Sequence, residues 1–426
     1  MQLLQSLFLF LFFSYSVVSL PTSGRTQHKG RSYKVSRVRR GEGELYGPSA
    51  LRKAYRKFGI VPSNLNIELE DFAPVTTVKH NVVAASDDSA EPDQVGAVSA
   101  TSVESDAEFV SPVEIGGQKI VVTFDTGSAD FWVLDTRLNK TLDGHTQYNP
   151  ANSTTFKDMP GATFNVSYGD NSFAAGPVGT DTVNIGGAIV KNQAIGIPTE
   201  VSQSFTEDTN SNGLVGLGFS SINSIEPQAQ NTFFANAAPN LDEPVFTSAI
   251  KSDGVGEYGF GLIDSSKYQG TMANVSVDSS NGYWQFDTAE FAVGNGSIQT
   301  INNTQTAIAD TGTSLMLMDQ QVVDAYYADV PSAVYVSSAG GYIFPCNTTL
   351  PSFSIAIGSE HLATVPGNLI QFSKVGTNTT TGQALCYGGI QSNSGASLQI
   401  LGDVFLKAFY VVFDMRGPSL GVASPV

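Results

Sequence analysis

Histidine, cysteine and charge are all scarce in this 426-residue chain, and each shortage removes a class of function. Only four histidines occur, His28, His80, His145 and His361, and none has ligand-like spacing to a second histidine or a cysteine. That argues against a catalytic metal and against a Ser-His triad, so neither metal nor cofactor is expected. The two cysteines, Cys346 and Cys386, are too few for a disulfide scaffold or a zinc cluster. In an oxidising compartment each has only the other as partner, so one intramolecular disulfide is expected, with two buried thiols as the alternative. Charged residues make up 14% of the chain. From residue 101 onward ten basic residues face thirty acidic ones, an imbalance that repels phosphate backbones and argues against a nucleic-acid partner. Beyond the first twenty residues no run approaches the roughly 18 apolar residues of a membrane span. The stretch Gly254-Val-Gly256-Glu-Tyr-Gly259 matches a dinucleotide-binding pattern, but it runs into the strand-like Phe260-Gly-Leu-Ile263 where a helix is required.

What the chain has in quantity is glycine, 42 residues, and short runs of Val, Ile, Thr, Phe and Tyr between Gly, Asn and Ser clusters. That is the composition of an all-β protein, and the length allows two lobes of ordinary domain size. Residues 1–20 carry the apolar run Leu7–Phe13 and end in Val17-Val18-Ser19 before Pro21. They read as a secretory signal peptide, although the basic n-region is missing, and a released, extracellular product is expected. Eight Asn-x-Ser/Thr sites, at Asn139, Asn152, Asn165, Asn274, Asn295, Asn302, Asn347 and Asn378, agree with secretion, some of them being chance matches. Residues 21–60 hold eleven of the 22 Lys and Arg against two acids. A basic arm on an acidic body reads as a propeptide, here assigned 21–100, whose attraction to a carboxylate-lined cleft weakens as those carboxylates protonate. A solvated surface segment is the plainer alternative. Lys53, Lys57 and Lys79 are the candidates for the residue that blocks the cleft, and Ala84–Ser105 reads as an exposed, cleavable linker.

The tripeptide Asp-Thr-Gly occurs twice, at Asp125-Thr126-Gly127 and Asp310-Thr311-Gly312, each after an apolar run and each followed by a hydroxyl residue, Ser128 or Thr313. An apolar-apolar-Gly turn follows each copy, with Gly216 lying 91 residues after Asp125 and Gly402 lying 92 after Asp310. A lone Asp-Thr-Gly is a weak signal, an Asx-type turn being its ordinary meaning. Two copies with matched downstream turns imply duplicated lobes, assigned 101–290 and 291–426. If the lobes pack about a pseudo-twofold axis, Asp125 and Asp310 meet at its centre. Two carboxylates about 3 Å apart cannot both ionise, so the pair shares a proton and can activate a water for peptide hydrolysis without a metal.

The residues Asp125-Thr-Gly-Ser-Ala-Asp-Phe-Trp-Val133, Tyr168-Gly-Asp170, Gly213-Leu-Val-Gly-Leu-Gly218 and Asp310-Thr-Gly-Thr313 resemble the pepsin-like aspartic endopeptidases. Phe205-Thr-Glu-Asp208, Pro244-Val-Phe246, Tyr342-Ile-Phe-Pro-Cys346 and Gly388-Gly-Ile-Gln391 are most similar to their secreted fungal branch, and Leu51–Gly59 resembles that group's propeptides. The likeness, from about residue 104 to the end, implies an all-β bilobal fold with a central cleft. It also implies a monomeric endopeptidase acting on proteins and peptides, with its own propeptide as intramolecular inhibitor. The roles it implies are Asp125 and Asp310 as the catalytic pair, Ser128 and Thr313 bonding their outer oxygens, Thr126 and Thr311 cross-linking the turns, and Gly127 and Gly312 presenting amides. Tyr168, Gly169 and Asp170 match the tip of a flap, Trp132 the indole that donates to the flap tyrosine, and Phe205 and Leu214 apolar walls of the pocket before the scissile bond. Large hydrophobic residues flanking the cut are therefore expected, and Asp170 is a candidate acceptor for a substrate lysine. Ala129 and Asn171 depart from the family pattern without touching the dyad. Rival readings are a non-catalytic binding homologue of the same fold, or a vacuolar enzyme, which usually carries a second disulfide.

Overall fold

The computed structural model describes residues 33–39, 47–60, 62, 109–138, 142–168, 172–251, 255–359 and 361–426. The signal-peptide segment 1–20, Lys79, the linker 84–105, Asn139 and the flap positions Gly169, Asp170 and Asn171 lie outside the described residues. The fold is all-β and bilobal, with a 14-stranded sheet and smaller sheets of five, four and four strands. β-Branched and aromatic residues build it: Phe353–Ile357 (Phe-Ser-Ile-Ala-Ile) is buried along its whole length, whereas Phe109–Ile115 ends in inside-outside alternation. Among the described residues no helix is long and apolar enough to cross a membrane.

The two Asp-Thr-Gly turns sit in matching local topologies. The strand Gln118–Asp125 lies parallel to Gly213–Gly216, with Asp125 opposite Gly216, and the chain leaving the turn returns as Phe131–Val133 antiparallel to that same inserted strand. In the second lobe Thr306–Ala309 is parallel to Gln399–Leu401, and Met316–Met318 is antiparallel to it. A strand from some ninety residues downstream is thus threaded between the two arms of each turn, which is the physical meaning of the matched 91- and 92-residue spacings. Glycine is required where that strand passes the turn. A Cβ on Gly216 would lie 2.6 Å from the backbone of Ala129 and Asp130, and one on Gly402 would overlap the carbonyl oxygens of Thr313 and Leu315.

Strands Val245–Ala249, Val255–Phe260, Tyr410–Asp414 and Ser419–Pro425 continue the large sheet. Under the first turn lies an aromatic layer in which Phe246 stacks on Phe413 at 4.3 Å and Trp284 packs against Phe219 and Phe413. The Trp284 indole donates to the Leu217 carbonyl at 2.9 Å, and the Leu217 amide donates to the Asp125 carbonyl at 2.7 Å, so the layer is tied to the turn. The backbone of Tyr33–Arg39 is inserted in the same sheet, pairing Tyr33 with Phe260 through Val38 with Val255 on one side and Arg39 with Phe109 on the other. Cys346 and Cys386 form a disulfide in the small sheet made of Val334–Val336, Gly341–Pro345, Ala384–Gly388 and Gln371–Thr377.

Candidate functional site

Asp125 ends the strand Gln118–Asp125 and Asp310 directly follows the strand Thr306–Ala309, and each turn supplies its carboxylate with backbone and hydroxyl donors. Gly127 N–H donates to Asp125 Oδ1 at 2.8 Å and Ser128 Oγ to Oδ2 at 2.8 Å. Gly312 N–H donates to Asp310 Oδ1 at 3.0 Å, and Thr313 Oγ1 donates to Oδ2. Beneath them the threonines are exchanged between the lobes. Thr126 Oγ1 donates to the Ala309 carbonyl at 2.7 Å and accepts from Thr311 N–H at 3.0 Å, while Thr311 Oγ1 donates to the Phe124 carbonyl at 2.9 Å and accepts from Thr126 N–H at 3.1 Å. Four buried hydrogen bonds thus hold the turns in mutual register, each worth about 1 kcal/mol net and more to break one-sidedly.

The two carboxylates converge on a single atom. Lys57 Nζ donates to Asp125 Oδ1 at 2.6 Å and to Asp310 Oδ2 at 2.7 Å and Oδ1 at 2.9 Å, with all three side chains withdrawn from solvent. Burial pushes the Asp125 carboxyl up, but the Lys57 charge and hydrogen bonds outweigh it and hold Asp125 below the usual carboxylate range. Burial also raises Asp310, and there the Asp125 charge adds to burial against Lys57, leaving Asp310 above its ordinary value. For Lys57 burial works against the ammonium, yet the two carboxylates prevail and its proton is held more tightly than usual. The environment therefore shifts the two carboxyls in opposite directions.

Of the three lysines singled out in the sequence, Lys57 occupies this position, Lys53 is exposed, and Lys79 falls outside the described residues. Lys57 ends the helix Gly47–Lys57, which buries Leu51, Ala54 and Tyr55 against the second lobe. Tyr55 is a contact that sequence reasoning missed: its hydroxyl donates to the Ser392 carbonyl at 2.7 Å, and burial pushes its phenol up to about 12. Phe58 sets its ring edge-on to Tyr283, centroids 6.1 Å apart. Both residues lie in the propeptide-like segment Leu51–Gly59, but nothing in that motif names their partners.

Beside the first turn a second cluster gathers Trp132, Tyr168, Phe205 and Leu214. The Trp132 indole donates to Tyr168 Oη at 2.8 Å, and Phe205 sits edge-on to Trp132 at 4.9 Å and to Tyr168 at 5.6 Å. Asp130, also not singled out in the sequence, is buried in the same turn and accepts from Asn223 Nδ2, Ser224 N–H and Ser224 Oγ, anchoring the loop that follows Gly218; burial raises its carboxyl.

A family model described as eukaryotic aspartyl protease matches residues 108–425. The chain is 62% identical, over an alignment covering 100% of both chains, to a putative aspergillopepsin A-like aspartic endopeptidase of Aspergillus fumigatus. It is 46% identical to penicillopepsin-1 of Penicillium janthinellum over 77% of this chain and 98% of that one. Aspergillopepsin-1 of Aspergillus oryzae is 45% identical over 77% of this chain and 80% of its own.

Proposed function

Because the chain belongs to the eukaryotic aspartyl protease family and is an aspartic endopeptidase, we propose that Asp125 and Asp310 are its catalytic pair and that residues preceding about position 100 keep it latent until acidification. The observation that carries this reading is the Lys57 ammonium seated between the two carboxylates, where a water would otherwise sit. With Lys57 withdrawn, the carboxylates face only each other and the turn donors, and share one proton, an arrangement of which aspartic proteases are the type case. The ionised member of the pair takes a proton from the bound water as the water oxygen attacks the scissile carbonyl. The protonated member donates a hydrogen bond to that carbonyl oxygen and stabilises the tetrahedral intermediate. Proton return to the leaving amine completes the cleavage.

The aromatic wall of Trp132, Phe205 and Tyr168, with Leu214, supports a preference for a bulky hydrophobic residue before the cut, and Tyr168 acts as a closing element over the peptide. The protein is secreted and works as a monomer on protein and peptide substrates. Asp125→Asn and Asp310→Asn, assayed on a denatured protein substrate at acidic pH beside a peptidyl statine inhibitor, test the assignment. Each variant loses activity by about 10³-fold or more, and the inhibitor abolishes wild-type turnover. A variant retaining wild-type rates overturns the dyad. Activity confined to cells and absent from the medium overturns secretion.

A further inference from the structure

The segment that carries Phe205 is fastened at both ends. At its start the Ser202 amide donates to the Phe173 carbonyl at 2.9 Å and Ser202 Oγ accepts from the Phe173 amide at 2.8 Å. At its far end the fastening is His145. The imidazole Nε2 faces the Thr206 carbonyl oxygen at 3.2 Å, and Nδ1 faces Asn212 Oδ1, also at 3.2 Å. The orientation of the Asn212 amide is fixed by its other bonds: Oδ1 accepts from the Thr146 amide at 2.8 Å, and Nδ2 donates to the Val121 carbonyl at 3.1 Å. Both ring nitrogens therefore face hydrogen-bond acceptors. An imidazolium, with two N–H groups, satisfies both at once, whereas a neutral ring leaves one lone pair pointing at an oxygen.

We infer that His145 is a positioning residue whose protonated form clamps the Phe205 segment onto the first lobe and so sets the substrate pocket in its acid-state geometry. The clamp is complete when both ring nitrogens carry hydrogen and loses one of its two bonds in the singly protonated ring. The clamp acts on the pocket directly: Leu142, in the same turn, packs in the cluster of Trp132, Tyr168, Phe205 and Leu214, and the His145 amide closes that turn onto the Leu142 carbonyl at 3.2 Å. Thr206 is the immediate neighbour of Phe205. The charged groups on the packed segments are Asp143 on the histidine's own turn and Glu207 and Asp208 beside Thr206; Glu207 accepts from Gln203 Nε2 at 2.6 Å. Among the described residues the ring's polar partners are the Asn212 and Thr206 oxygens. The carboxylates of Asp143, Glu207 and Asp208 favour the imidazolium and so extend the clamp toward neutral pH.

This inference rests on the proposed role of Phe205 and Tyr168 in the pocket, and the test separates the two. Steady-state kinetics on a peptide with a bulky apolar residue before the scissile bond are measured at about pH 3.5 and about pH 7.5 for the wild type, His145→Gln, Asn212→Asp and Phe205→Ala. Glutamine keeps one donor at every pH and stands in for the neutral ring. At the lower pH His145→Gln raises KM about five- to ten-fold with kcat within about two-fold, and at the higher pH the wild type approaches the variant's KM. Asn212→Asp, whose carboxylate retains the imidazolium, carries the low KM to the higher pH. Equal KM for His145→Gln and the wild type at the lower pH, or the same KM ratio at both, overturns the inference. Should His145→Gln fail to fold, Asn212→Asp decides alone, a wild-type pH profile being the overturning result. A Phe205→Ala variant with unchanged KM overturns the pocket assignment and the clamp together. Raised KM in Phe205→Ala without an effect of His145→Gln overturns the clamp only.

Discussion

Replacing Lys57 by methionine keeps the length and apolar stem of the side chain and removes the one charge that joins the helix Gly47–Lys57 to the dyad. Breaking a buried ion pair by deleting one partner costs about 3–5 kcal/mol. Here the orphaned carboxylates can take up a proton, so the lower end applies, about 3 kcal/mol, or about a hundred-fold in the docked-to-released equilibrium. The remaining contacts, Tyr55 on Ser392 and Phe58 on Tyr283, stay in place and set the residual affinity.

The pH dependence follows from the direction of each shift. Asp125 is held below its ordinary value, so its contribution to docking is present above that value and is lost as pH falls through the depressed one. Asp310 is raised and works in the opposite sense, binding its proton more readily when docked, so it does not provide the acid trigger. Lys57 is raised too, and its contribution, complete at acid and neutral pH, fades only as pH climbs past its elevated value. Acid release is thus controlled by Asp125. With one proton linked, wild-type docking weakens by about 1.4 kcal/mol per pH unit, whereas in Lys57→Met the charge that holds Asp125 down is gone, so docking is about 3 kcal/mol weaker at neutral pH and no longer weakens as pH falls. The assay takes full-length protein at neutral pH, lowers the pH stepwise, and follows both binding of a fluorescent statine peptide and cleavage of a quenched substrate. Lys53→Met, on the exposed face, is the control. Identical latency and identical release pH for Lys57→Met and the wild type would refute the reasoning.

Gly127→Ala places a Cβ 2.7 Å from Asp310 Oδ1, so kcat falls about a hundred-fold or more while circular dichroism stays native; a variant within about three-fold of wild type counts against a dyad this closely packed. Thr311→Val deletes the bond to the Phe124 carbonyl and leaves the buried Thr126 amide without that acceptor, lowering stability by about 2–4 kcal/mol in urea titration, and a loss below about 0.5 kcal/mol contradicts it. The paired replacement Cys346→Ser with Cys386→Ser opens a 40-residue separation, costing about 4 kcal/mol on the chain-entropy estimate, read as a lower denaturation midpoint without reductant; an unchanged midpoint contradicts it.

The features readable in the sequence were those that the fold repeats. A duplicated turn leaves two copies of one local pattern, and the ninety-residue interval survives because a strand of fixed register must come back between the arms of each turn. Which lysine meets the two aspartates was not readable in this way, because it depends on where one helix docks. The apolar positions Leu51, Ala54, Tyr55 and Phe58 define that helix's inner face, and at 3.6 residues per turn Lys53 falls opposite it while Lys57 falls on its flank. Periodicity disfavours Lys53 but cannot aim Lys57. Its aim comes from Tyr55 seated on Ser392 and from the docking of the helix on Gln371–Thr377 and Ala384–Gly388, contacts between segments more than 300 residues apart. His145 illustrates the same limit from the other side. As a lone histidine without ligand spacing it carried no signal, and only the placement of two oxygens from distant loops gives its second proton a use. Symmetric chemistry can be written in local sequence, whereas the groups that govern when that chemistry runs are selected one at a time by tertiary contact and leave no repeat to find.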